Sequence, residues 1–150
     1  MDRSECQVLQ DSSGLWLKPL SGQTVAIIGF GNQGRAHAMN LRDSGVDVVV
    51  GGRAGSSARA AARSDGFRDA DAPDAASQAA LVAFCVPDHV AGDVWASAHT
   101  AMQVDAIAGF VCGAPLRYGL VSAPPTRGIV MVAPKGPGAT LRMRYTMGQG

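Results

Sequence analysis

The sequence predicts a single α/β domain of the Rossmann type, a doubly wound and mostly parallel sheet. Three observations predict it. Apolar runs alternate with polar or alanine-rich segments along most of the chain, which is the pattern of repeated strand–helix–strand units. A Gly-x-Gly-x-x-Gly stretch closes the first apolar run and opens a helical segment, the context in which that motif has meaning. The chain has 150 residues, 47% of them hydrophobic and 17% charged, which is one domain's worth and enough to bury a core.

The elements follow in order. Residues 1–20 read as an N-terminal arm, with "CQVL" as a candidate short strand, and residues 21–150 as the domain. "TVAIIGF" is the first strand. "QGRAHAMNLRDSG" is a helix, with Ala36, Met39 and Asn40 at helical spacing and Gly45 as its stop. "VDVVVGG" is the second strand, and "SSARAAARSDG" a short helix with Ser56 as N-cap. "FRDAD" is a brief third strand, and "PDAASQA" a turn of helix with Pro73 near its start. "ALVAFCV" is the fourth strand, "DHVAGDVWASAHTAM" its helix, and "VDAIAGF" the fifth strand. "VCGAPLRYGLVSAPPTRG" reads as loop. "IVMVA" reads as a buried sixth strand running into the stiff turn "PKGPG". Strands one, four, five and six are expected on one side of the switch point, and two and three on the other.

Composition excludes several classes. A net charge of +1 leaves no electrostatic footprint for nucleic acid or an anionic membrane. The opening "MDRSECQVLQDSSG" has no apolar core of a signal peptide, and no apolar run is long enough to span a bilayer. The three cysteines are odd in number, and Cys85 lies within an apolar run. No disulfide framework is expected, and the reading is a cytoplasmic protein.

The glycine loop carries the first chemistry. Gly29 permits the tight turn, Gly31 lets the backbone approach a pyrophosphate, and Gly34 lets the helix pack close to the strand. The helix N-terminus offers free N–H groups to an anion. The competing reading is a glycine-rich turn without a ligand. The end of strand two selects the nucleotide. An acid there would bond a ribose 2′-hydroxyl; this chain has Gly51, Gly52 and Arg53, then Ser56, Ser57 and Arg59. A guanidinium with hydroxyls suits a 2′-phosphate, so NADP(H) is the expected cofactor. The plainer alternative is solvated surface arginines, which holds more easily for Arg59 and Arg63 than for Arg53.

The remaining polar candidates are thinner. Lys135, in the rigid turn after strand six, could polarise a carbonyl or imine or pair with a phosphate; a solvated loop lysine is the alternative. Cys112 could act as a nucleophile beside a cation, with Lys135 as the possible neighbour, although a packed small side chain is the commoner role. His37 reads as structural, and His89 and His99 lack a spaced partner for a metal. The acids Asp65, Asp69, Asp71, Asp74, Asp88 and Asp93 scatter over helix ends and turns, so no metal site is expected. Arg117 and Tyr118 read as loop surface or the wall of a substrate pocket. Trp16 and Trp95 read as core or interface aromatics.

The stretches "GFGNQGRAHAMNLRDSGVDVVVGGRAGS", "DGF", "VPD" and "MVAPKGPG" resemble the N-terminal domain of ketol-acid reductoisomerase, the NADPH enzyme of branched-chain amino-acid synthesis. The resemblance runs from about residue 8 to residue 145. It implies cofactor contacts at the glycine loop (Gly29, Phe30, Gly31, Asn32, Gln33 and Gly34), at Arg53 and at Ser56. It also implies that Pro87 and Asp88 lie near the cofactor, and Lys135 and Gly136 near the reaction centre. The family carries a histidine where this chain has Cys112. It also has a helical C-terminal domain that supplies acidic ligands to two magnesium ions, which this sequence does not include. The family's alkyl shift needs that metal pair, so the full isomeroreductase activity is not expected of this chain alone.

Three functional classes follow. The first is an NADPH-dependent reductase of a carbonyl or imine held near Lys135, in a specialised biosynthetic pathway. The second is a redox-neutral cyclase or isomerase using the inherited pocket. The third is a cofactor-binding module without catalysis. The first is the preferred expectation, with a small molecule as substrate. A homodimer is expected too. The apolar strand six would lie at a sheet edge without charge or proline to protect it, and a second copy could cover it by edge pairing or by exchanging the tail "RMRYTMGQG".

Overall fold

The computed structural model describes residues 15–149. The candidate strand at "CQVL", most of the N-terminal arm and the side chain of Trp16 lie outside what it describes. A 3-10 helix, Leu15–Leu20, precedes the sheet. The strands are β1 (Thr24–Ile28), β2 (Asp47–Gly51), β3 (Arg68–Ala70), β4 (Leu81–Phe84), β5 (Ile107–Phe110) and β6 (Ile129–Met131). The helices are α1 (Asn32–Asp43), α2 (Ser57–Ser64), α3 (Ala72–Ser77), α4 (Asp88–Ala98), α5 (Ala114–Arg117) and α6 (Gly138–Thr146).

The sheet has six strands in the order β3-β2-β1-β4-β5-β6, and every pairing is parallel. This is the doubly wound arrangement expected from the sequence. The chain winds outward one way through β2 and β3, then crosses back to β4. Loops leaving β1 and β4 therefore part to opposite faces and open a crevice at their carboxyl ends. Register brings the other loops to the same edge: Ile28 stands opposite Gly51 and Phe84, Phe84 opposite Phe110, and Phe110 opposite Met131.

Both faces of the sheet are covered, which is why its central strands are apolar throughout rather than alternating. Val25, Ile27, Val48 and Val50 point to one layer, with Ala38, Ala62 and Phe67. Ala26, Ile28, Val49, Val82 and Phe84 point to the other, with Ala75, Ala91 and Trp95. Small alanines on the helices let them sit close to the sheet. Trp95 fills the second layer: its ring lies 5.3 Å from Phe84, and its indole N–H donates to the Ser122 carbonyl at 3.1 Å. It is a core aromatic with its polar handle satisfied. His37 lies within α1; its Nε2 is buried without a partner among the described residues, and burial pushes its pKa down.

One expectation is corrected at the C-terminal end, and one helix is added there. The strand "IVMVA" is not buried. All of β6 is exposed, and Met131 and Val132 keep 55% and 60% of their surface. It is an outer strand of the sheet, paired with β5 alone. Within one chain, most of the tail "RMRYTMGQG" is helical and docked. Residues 138–146 form α6, which packs on α1 of the same chain. A Cβ on Gly138 would stand 2.0 Å from the Asn32 carbonyl oxygen, so only glycine permits this approach. Arg142 donates to Asn40 at 2.9 Å and pairs with Asp43, and the Ser44 and Tyr145 hydroxyls bond at 2.6 Å. The sequence hid this helix behind the turn "PKGPG" and its basic residues, whose partners lie on α1. The segment read as loop after β5 also contains a helical turn, α5.

Candidate nucleotide-binding site

The glycine loop is built as its spacing required, and each glycine has a separate physical cause. Gly29 has a φ of +94°, a left-handed conformation that L side chains rarely adopt, and a Cβ there would stand 2.8 Å from the Cys85 carbonyl. Gly34 lies beneath the turn, where a Cβ would come within 2.0 Å of the Gly29 carbonyl. Gly31 is different. A Cβ on it would meet no protein atom within 4 Å. Packing therefore does not require glycine at residue 31; the missing side chain leaves open the space over the helix start.

That space belongs to a cleft of about 790 Å³ at the carboxyl edge of the sheet. Of the residues expected to contact the cofactor, Gly29, Phe30, Gly31, Arg53, Ser56 and Pro87 line it together. Asn32, Gln33, Gly34, Asp88, Cys112 and Lys135 are not among its lining residues. Gly34 acts by packing. Gln33 donates its side-chain amide to the Gly136 carbonyl at 2.8 Å, so it ties the loop that carries Lys135 to the first turn of α1. Asn32 receives the close approach of Gly138 described above.

The polar end of the cleft lies past β2. Arg53 is exposed there, and among the described residues it pairs with no carboxylate. Ser56 caps α2, accepting from the Arg59 N–H at 3.3 Å, while also lining the cleft. Arg59, grouped with these residues as a cation for phosphate, is instead engaged by two acids. It bonds Asp69 at 2.5 Å and also pairs with Asp71, and Arg63 joins the network at 2.7 Å from Asp69. The hydrogen bond from Arg59 holds the Asp69 carboxyl below the usual carboxylate range. Asp71, with Ala72 and Pro73, lines the cleft. The sequence reading missed this wall because Asp69 and Asp71 looked like scattered turn acids. The available signal was the position of Asp71 just before Ala-Pro-Asp, where a helix begins.

Cys112 is half-buried, and its thiol donates to the Asp88 carboxylate with sulfur and oxygen 3.7 Å apart. That partner is an anion, not the cation the nucleophile reading asked for. Lys135 is exposed in the turn between β6 and α6. Cys85 lines the cleft at its floor, and burial pushes its thiol up to about 12, so it stays protonated and unreactive. Among the described residues no three His, Cys, Asp or Glu side chains gather as metal ligands.

A glycine turn, a crevice at the switch point and an exposed guanidinium past β2 define a dinucleotide-binding domain of the Rossmann class. More narrowly, the chain belongs to the acetohydroxy acid isomeroreductase NADPH-binding-domain family, whose pattern matches residues 19–150. It is 42% identical over 141 residues to the ketol-acid reductoisomerase (NADP(+)) of Pyrobaculum calidifontis, covering 93% of this chain and 42% of that protein. It is 41% identical over 135 residues to the enzyme of the same name from Methanopyrus kandleri, covering 89% of this chain and 41% of that one. The chain thus spans about two fifths of the length of the curated relatives it matches. Among solved structures, an NADH-preferring ketol-acid reductoisomerase from an uncultured archean superposes with a TM-score of 0.83 at 28% identity, covering 87% of this chain and 41% of that chain. The 3-hydroxyisobutyrate dehydrogenase of Mycobacterium tuberculosis, at a TM-score of 0.66 and 18% identity over 81% of this chain and 43% of that one, shares the fold.

The residues present fit NADPH. Gly31 leaves room for a pyrophosphate against the α1 N-terminus, where no side chain caps the helix, and Arg53 offers an exposed charge past β2 of the kind that suits a 2′-phosphate.

Proposed function

We propose that this chain binds NADPH in the cleft beside Gly31 and serves an NADPH-dependent reduction of a carbonyl or imine in a small molecule. The observation that carries the reading is the cleft itself: an intact glycine turn at one end and an exposed guanidinium, Arg53, at the other. In this reading Gly29, Phe30, Gly31, Asn32 and Gly34 shape the pyrophosphate seat, and the N–H groups at the start of α1 face it. Arg53 and the Ser56 hydroxyl take the 2′-phosphate. Pro87 borders the nicotinamide half of the cleft, and Asp88 follows it at the start of α4. When bound, the cofactor supplies a hydride. Lys135 contributes a hydrogen bond to the substrate oxygen or nitrogen, from a loop that Gln33 holds in place. Cys112, joined to Asp88, shapes the substrate side of the pocket.

The ketol-acid reductoisomerase name belongs to relatives more than twice as long as this chain. Isomerisation coupled to reduction is therefore not part of this proposal. The exposed β6 edge supports a homodimer as the working state of this chain. Isothermal titration with NADPH, followed by absorbance at the NADPH band with candidate carbonyl compounds, tests the proposal. Binding with substrate-dependent loss of absorbance supports it. Turnover without that loss would replace it by a redox-neutral cyclase or isomerase, and failure to bind NADPH would end it.

A further inference from the structure

We propose that Asp71 is a specificity-determining residue that limits how strongly this cleft prefers a 2′-phosphorylated adenine ribose over an unphosphorylated one. The inference rests on the nucleotide-binding reading above and adds to it a residue on the facing strand end. β2 and β3 leave the sheet side by side, with Gly51 opposite Ala70 and the Gly52 N–H bonded to the Ala70 carbonyl at 3.1 Å. The next residues on each strand, Arg53 and Asp71, both line the cleft. One end of the cleft thus holds a cation suited to a phosphate and an anion suited to a hydroxyl. A carboxylate accepts a hydrogen bond from a ribose hydroxyl and repels a phosphate.

The way Asp71 is held makes this arrangement specific. It occupies the N-cap of α3, yet its side chain makes no cap hydrogen bond. An aspartate there ordinarily bonds the helix N–H groups. Here its carboxylate goes to Arg59 instead, which Asp69 grips from the other side. The Arg59 stem lies against Gly52, where an added Cβ would stand 3.3 Å from its Cγ. Arg59 therefore runs beside the loop that carries Arg53, but two carboxylates already share its one positive charge. Asp71 weakens phosphate binding twice: it places a negative charge in the cleft, and it occupies a guanidinium that could otherwise serve the phosphate.

Titrating the intact chain with NADPH and with NADH separates the possibilities. Asp71→Asn removes the charge with little change of shape, and Asp71→Ser supplies an ordinary capping side chain in case the first variant folds poorly. Both should keep the wild-type melting temperature within a few degrees. Relative to wild type, both should raise the preference for NADPH over NADH about fivefold, the size expected for one like charge withdrawn across a solvated cleft. Most of the change should come from tighter NADPH binding, and added salt should shrink it. Wild-type NADPH binding with an unchanged preference in both folded variants would overturn this inference alone. A wild type that binds neither nucleotide would overturn the nucleotide-binding reading and this inference with it.

Discussion

The Gln33 amide donates to the Gly136 carbonyl across 103 positions of sequence at 2.8 Å. This bond joins the helix that follows the glycine loop to the turn holding Lys135. Losing it removes one partly buried hydrogen bond, so Gln33→Ala should destabilise the chain by about 1 kcal/mol. Gln33→Glu should cost more, because a carboxylate would then face a carbonyl oxygen. Denaturant titration checks the order, and amide exchange should speed up first across residues 134–138. Equal stability of all three proteins would mean that the contact carries no weight.

Gly31 and Gly34 should fail in different ways. Gly31→Ala adds a methyl group to open space, so the variant should fold within about 1 kcal/mol of wild type while losing NADPH affinity. Gly34→Ala drives a Cβ into the Gly29 carbonyl, and overpacking against backbone should destabilise it by about 3 kcal/mol or more. Thermal melts paired with NADPH titration separate the two defects. A destabilised Gly31→Ala with normal binding would contradict the assignment.

Arg53→Ala should lower NADPH affinity roughly ten- to a hundredfold, the loss of a charge-assisted hydrogen bond of about 1.5–3 kcal/mol. NADH binding should barely change. Calorimetry on both nucleotides gives the answer; wild-type protein that binds the two equally would remove Arg53 from the site.

Acid should weaken the fold partly through His37. Burial depresses its pKa in the folded state, so below about 6.5 the unfolded chain takes up the proton more readily. The stability it contributes is present above that pH and is lost as pH falls through the folded value. Denaturant midpoints should therefore drop between pH 7 and pH 5, and the drop should be smaller in His37→Gln. An identical pH profile for the two proteins would assign the acid loss to other groups.

The exposed β6 edge should pair in solution. Ile129, Val130 and Met131 are all exposed on the outer strand, which lacks the charge and proline that normally protect such an edge. Light scattering on a sizing column should give a dimer at micromolar concentration. Val130→Lys, which leaves the core untouched, should give a monomer. A wild-type monomer over that range would reject the pairing.

The core sheet and the glycine turn were legible because they depend on local pattern. Val25 to Ile28 is apolar at every position, as a strand covered on both faces must be, and Gly29, Gly31 and Gly34 sit at the spacing a tight turn and a close helix demand. The family motifs around Arg53 and Lys135 were legible for the same reason: they are contiguous in sequence. Other features depend on residues that meet only when the chain is folded. Nothing beside Arg59 in sequence says that Asp69 and Asp71 will claim its guanidinium; that follows from β3 lying next to β2. Nothing near Gly138 says that Asn32 will lie against it, so the last helix read as a tail that two copies could exchange. Propensity and periodicity act over a few residues and were enough to fix the strands and the glycine loop. Charge pairing and close backbone approach act through space. They decided which arginines are claimed by carboxylates, where the tail docked and which strand was left exposed.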